Sequence, residues 1–341
     1  MSKQIGVECH YLDGCVVQHN FIYMAAQLDD LDPDEYLHTR MTGFCELIIG
    51  RKGLRSDGKP SNGWAYHDLE MHIVSVCVKQ ETPVEGRRLC ALSKEGEVEI
   101  FSGKSGKGVI EKIPDAGLRL SEYTEEGVTG YVTHIREIGD SLYVCGQSGQ
   151  VYRRTESGWI HIDAGVFSPL RDPDDDEVNS FNCIDGNDGN DLYVVGDDGV
   201  VFHCDGFVWR PVQVNTREHL LWVRCYGRDE VYICGYNGTL LRGSARNGFK
   251  DVSALEDNFT WWCLCKFRDK VYLSATEGLY AWDGKKIARV GTGLSPEVET
   301  YRLDADREGK TLWSFGAKDL ACFDGQKWQR LHDPDNPRIG E

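Results

Sequence analysis

Apolar residues along this chain come in short runs of alternating phase, broken by glycine-bearing turns, and the runs recur. "SLYVCGQSGQVYRRTESGWIHID" starts at Ser141, "DLYVVGDDGVVFHCDGFVWRPVQV" at Asp191 and "EVYICGYNGTLLRGSARNGFKDV" at Glu230. The leucine or valine opening each "LYVxG"-like run serves as a phase marker, and it falls at Leu89, Leu142, Leu192, Val231, Val271 and Leu312. A degenerate earlier copy is expected from Leu47, in "LIIGRKG". That gives six clear units and a seventh. Period-2 alternation with β-branched and aromatic residues is the signature of strands, and self-similarity at this spacing is that of a closed repeat architecture.

Each unit has the same internal order. An apolar run such as "THIREI", "LLWVRCY" or "TYRLDA" precedes the marker strand. A tight turn follows at Ser148-Gly149, Asp198-Gly199, Asn237-Gly238 or Glu277-Gly278, then a third strand such as "VVFHC". A second turn at Ser157-Gly158, Asp205-Gly206, Asn247-Gly248, Asp283-Gly284 or Asp324-Gly325 leads into a fourth strand. Asn-Gly and Asp-Gly suit type I′ hairpins, whose two central residues both need positive φ. Four antiparallel strands per unit predict an all-β chain folded as a single β-propeller domain over residues 1–341. Seven four-stranded blades fit the repeat count, with six and eight as the alternatives. Residues 1–62 do not declare their blade; "GVECHYLDGCVVQ" is a candidate for a strand that closes the ring against the last unit.

The stretch "LYVVGDDGVVFHCDGFVW" resembles the broad class of bacterial propeller repeats with an "hxVGxxGxhxxxDGxxW" consensus, relatives of the BNR and YVTN-like propellers. The resemblance runs from Met71 to Leu331. It implies the fold and is silent on function. The Gly-His…Trp-Asp pair of WD repeats, the Gly-Gly of kelch units and the Asp-box of sialidases are all missing.

Thirteen cysteines change the picture of the environment. No CxxC pair occurs, and Cys77, Cys145, Cys225, Cys234, Cys263 and Cys265 sit inside apolar runs, where they read as small buried hydrophobes in a reducing, cytoplasmic compartment. Zinc-type spacing is lacking, so no metal and no cofactor is expected. "DGNDGND" (185–191) fails the register of a calcium loop and reads as a turn. The ten histidines form no HExxH or His-x-His, and no nucleophile elbow is present, so no catalytic residue is named.

Net charge is −17, which disfavours nucleic acid and anionic membranes as partners and favours a basic protein. In a propeller the blade-joining segments share a face with the turns between second and third strands. Two of those segments are long and acidic. They place Asp172, Asp174, Asp175, Asp176 and Glu177 in one loop and Glu122, Glu125 and Glu126 in another, with Asp197 and Asp198 on a nearby turn. Loops enlarged beyond what solubility requires predict a docking face for a cationic partner, as in an inhibitor or immunity protein that caps a basic toxin or effector enzyme. The innermost strands carry His134, Arg136, Arg224 and Arg302, with His72, Lys266 and Asp304. These support an alternative, a hydrolase or lyase holding an anionic small molecule at the channel mouth. Solvent and backbone carbonyls are the simpler company for such side chains. Trp159, Trp209 and Trp328 recur in the fourth strand. A sugar-binding propeller would use exposed rings there, whereas packing between blades would bury them.

Overall fold

The computed structural model describes residues 8–29, 38–54, 58–83, 85–117, 130–168, 179–254, 258–334 and 336–337. They form seven four-stranded antiparallel sheets. Each sheet is one blade, built from one continuous segment, and the blades close into a ring around a central axis. The inner strands of blades 1 to 7 are Cys9–Gln18, Ile73–Lys79, Val132–Ile138, Phe181–Asp188, Leu220–Cys225, Cys263–Phe267 and Arg302–Ala305. The six phase markers all fall on second strands, from Arg88–Ser93 in blade 2 to Leu312–Phe315 in blade 7.

The first blade departs from the expected copy. Leu47 lies in a short 3-10 segment, Glu46–Ile48, and is 57% exposed; the true second strand is Phe21–Leu28. The stretch expected to close the ring is the inner strand of blade 1 itself, and it packs against blade 7. Tyr11 Oη donates to Asp333 at 2.5 Å and Tyr66 Oη to the other carboxylate oxygen at 3.0 Å, tying the last described residues across that seam.

Turn chemistry divides in two. On the upper face, Ser148 and Gly149 (φ 61° and 69°), Asp198 and Gly199 (53° and 74°) and Asn237 and Gly238 (50° and 69°) have the paired positive φ of type I′ turns. On the lower face only the glycine of each Asp-Gly is left-handed, and the loop is four residues long. There the aspartate carboxylate accepts two backbone N–H groups further on. Asp283 takes Lys285 and Lys286, both at 2.9 Å, and Asp324 takes Gln326 and Lys327, at 2.8 and 2.9 Å. The aspartate is there as an acceptor, not for its tolerance of positive φ. Of the "DGNDGND" segment only Gly189 and Asn190 form the turn, with Asp188 and Asp191 facing each other across it, while Asp185 to Asp188 end the inner strand.

The core lies between blades. The recurring tryptophans are in it: Trp159, Trp209 and Trp328 are 6%, 5% and 8% exposed. Trp159 donates its indole N–H to Glu111 of blade 2, and Trp209 donates to the Ile162 carbonyl of blade 3. Ten of the thirteen free cysteines are buried. Burial pushes the thiols of Cys145 and Cys263 up to about 12, which leaves them protonated and inert.

An inner strand pairs on one side only, so its other edge presents backbone N–H groups that need acceptors. The ring meets this need seven times with one device: a side chain on or just past each inner strand accepts an N–H from the inner strand of the next blade. Asp13 takes Val76 N–H (2.8 Å), Ser75 takes Ile135 (3.3 Å), His134 takes Ile184 (3.3 Å) and Asp185 takes Cys225 (2.8 Å). Tyr226 takes Lys266 (2.6 Å), Cys263 takes Leu303 through sulfur (3.4 Å), and Asp304 takes Val16 (2.8 Å), which closes the circle.

Candidate functional site

The axis holds a plug of ion pairs. Arg136 Nε is 3.1 Å from Asp185, Arg224 Nη2 is 3.3 Å from Asp304, and Arg302 Nε is 2.9 Å from Asp13. Three arginines thus meet three carboxylates, each of which also serves as an interblade acceptor. Trp222 lies among them, with the Arg302 guanidinium 4.0 Å and that of Arg224 5.3 Å from its ring centre. The His134 imidazole meets the same indole edge-on at 4.8 Å. Burial opposes the charge on Arg136, but Asp185 and Asp304 outweigh it and hold the guanidinium charged. Burial raises both carboxylates above their ordinary range, with Arg136 pulling them back. Burial, then Arg302 and Arg136, push His134 well below its ordinary 6.5, so the ring is neutral.

The four side chains read from sequence as a cationic ligand site, His134, Arg136, Arg224 and Arg302, are therefore brought together, each engaged within the protein. Their company is carboxylate, where backbone carbonyls were expected. Arg224 keeps two buried nitrogens, Nε and Nη1, without a hydrogen bond, and so does Trp222 Nε1. Of the other inner-strand polar residues, Lys266 turns to Glu230, at 2.7 Å, and His72 lies just ahead of the blade 2 inner strand. Two hollows among the described residues are both off the axis. One of about 530 Å³ lies on the upper flank of blade 4 beside Asp198, Pro211 and Arg217. Another of about 260 Å³ lies near Glu230, Arg242 and Trp282.

Of the predicted acidic docking residues, Asp172, Asp174, Asp175, Asp176, Glu177, Glu122, Glu125 and Glu126 lie outside the described residues. Asp197 and Asp198 are on the upper turn of blade 4. Asp197 accepts from Asn182 Nδ2 at 3.0 Å and contacts His219 Nδ1 at 3.0 Å, while Asp198 is exposed.

The channel mouth carries a feature not foreseen from sequence. The residue immediately before each inner strand stands at the upper mouth of the channel. In blade order these are Glu8, His72, Tyr131, Ser180, His219, Trp262 and Tyr301. Five of the seven carry a ring. Across blades 5 to 7 the rings join into an arc through Tyr236 of an upper turn. His219 and Tyr236 are 5.2 Å apart between centroids, Tyr236 and Trp262 6.5 Å, Trp262 and Tyr301 6.3 Å, all edge-on. Tyr236 is 37% exposed, and the other three are partly buried.

The architecture defines the class: a seven-bladed β-propeller, and solved structures agree. The chain aligns with the WD40 propeller domain of Doa1 (TM-score 0.60, 9% identity, 98% of this chain and 96% of that one). It also aligns with YCF48 bound to D1 peptide (0.61, 12%, 97% and 94%) and with virginiamycin B lyase from Staphylococcus aureus (0.58, 11%, 77% and 85%). At such identity the likeness concerns the fold alone. No family model matches the chain. The immune protein Tsi7 of Pseudomonas aeruginosa is 30% identical over 333 residues, covering 97% of this chain and all of Tsi7. The chain belongs to the Tsi7 family.

Proposed function

We propose that this protein is a non-enzymatic immunity protein, which protects by binding a toxin with its upper face and masking it. The observation that carries this reading is the full-length relationship to Tsi7, an immune protein, on a frame whose axial charges are spent on one another. A net charge of −17 favours a basic toxin or effector enzyme encountered in the cytoplasm, steered by long-range attraction. On this reading the acidic loops carrying Asp172 and Glu122, with Asp197 and Asp198, form the outer zone of the docking face. The lyase reading has no comparable support: each of its three arginines has an aspartate counter-charge, with only Nε and Nη1 of Arg224 left without a hydrogen bond. The buried tryptophans offer no platform to a sugar.

The test is affinity capture of the tagged chain from its native host at low and high salt, with mass spectrometry, followed by expression of the captured protein with and without this chain. The expected result is one basic protein that is toxic alone and harmless together. Capture of nothing stoichiometric, or of a protein whose toxicity is unchanged, would sink the reading. Neutralising Asp172, Asp174, Asp175, Asp176 and Glu177 together is expected to slow association and flatten its salt dependence while folding stays intact.

A further inference from the structure

The arc over blades 5 to 7 alternates rings with carboxylates. Asp197 touches His219. Glu218 receives the Asn237 amide at 2.7 Å, beside Tyr236. The Trp262 indole N–H is donated to Thr276 Oγ1 at 3.1 Å, which places the exposed Glu277 next to it in the chain. Glu299 stands two residues before Tyr301, and burial together with that carboxylate raises the Tyr301 phenol above its ordinary range. Of the cations nearby, Lys318 Nζ is held by the Cys9 carbonyl and Asp29, and Arg289 by the Glu277 carbonyl, while Arg217 is exposed two residues before His219. Partly exposed rings interleaved with carboxylates suit a guanidinium above other groups, because it stacks on the ring and forks to the oxygens at once. Phosphate would be repelled, and a purely apolar segment would leave the carboxylates desolvated and without compensation.

We propose that the half-ring His219–Tyr236–Trp262–Tyr301 is the energetic centre of the docking face and seats an arginine-bearing segment of the toxin. This rests on the immunity reading and adds to it the place and chemistry of recognition. Few residues carry most of the energy of an interface, and those are typically aromatic or arginine at its centre. The acidic loops then set the approach rate and the rim sets the lifetime.

The experiment uses the full chain and two probes. The first is the protein captured in the experiment above, titrated calorimetrically against wild type, against the Tyr236→Ala/Trp262→Ala double variant, and against a Val109→Ala/Ile110→Ala control on the exposed outer strand of blade 2. The expected result is roughly a hundredfold weaker binding for the rim variant and none for the control, with matching melting curves. Equal binding of rim variant and wild type would overturn the seat while leaving the immunity reading in place. The second probe needs no toxin and no variant: a Gly/Ser peptide carrying three arginines, compared with the same peptide carrying three glutamates, read by tryptophan fluorescence. Preference for the arginine peptide supports the seat even where no toxin is captured. Equal response to both peptides overturns it.

Discussion

Tyr301 and Arg302 are neighbours in the chain and opposites in circumstance. Arg302 points into the axis, pairs with Asp13 and stacks on Trp222, whereas Tyr301 stands at the mouth with Trp262 against it. Three positions, rather than one, separate Tyr131 from His134 and His219 from Trp222 in the same way. On each inner strand, the first residues meet whatever lies above the ring and the next few hold the ring together. Polar chemistry in a repeat protein therefore cannot be sorted by residue type alone. Depth along the strand decides whether a charge is satisfied by a partner inside the protein or remains available to one outside it.

The sharpest way to break this contrast is to remove a carboxylate from the plug. Asp304→Ala leaves Arg224 buried without its counter-charge and Val16 N–H without its acceptor at the seam between blades 7 and 1. Stability measured by urea denaturation is expected to fall by about 3–5 kcal/mol. Asp304→Asn, which keeps an acceptor, should recover part of it.

A smaller effect comes from His134. The unfolded chain protonates it below its ordinary 6.5 and the folded chain does not, so its stabilising contribution is complete above that pH and declines as pH falls. The decline approaches about 1.4 kcal/mol per pH unit for one proton. Asp185 and Asp304, raised by burial, act in the opposite sense above 3.8, gaining stability as pH drops. The clean measurement is thus the difference between wild type and His134→Gln across pH 7 to 5. The variant should lose one proton's worth of slope and keep an acceptor for Ile184.

At the rim the stability effects should nearly vanish. Trp262→Ala is expected to shift unfolding by no more than about 1 kcal/mol while weakening partner binding far more, the reverse of the plug variants. A rim variant that unfolds like Asp304→Ala would erase the distinction. The smallest change is Asp198→Asn on the exposed turn. It should slow association by less than about threefold at low salt, with no effect on the melting curve.

The blades were legible because their turns repeat a physical requirement. Ser148-Gly149, Asp198-Gly199 and Asn237-Gly238 announce positive φ, and the six "LYVxG" runs mark second strands in register. Blade 1 was misread because its second strand, "FIYMAAQL", runs into no such turn, while "LIIG" imitates one in the connection that follows. The polar inner strands were seen from sequence, but not their pairing, since partners such as Arg302 and Asp13 lie 289 positions apart. The interblade links were hidden by their variety: aspartate, serine, histidine, tyrosine and cysteine all accept the same kind of N–H. The rim escaped notice for a different reason. Aligning the copies on the second strand leaves the start of the inner strand out of phase, so "YVTHI", "HLLWV", "WCLCK" and "YRLDA" never stood in one column.

The interblade links hold every inner strand in place through its backbone, and none of them uses the side chain at the mouth. The channel entrance therefore works like a dial of seven fixed stations, each showing one letter that can be changed without disturbing the dial. Such a frame can follow a changing opponent one substitution at a time, each step altering what is recognised while the ring that displays it stays the same.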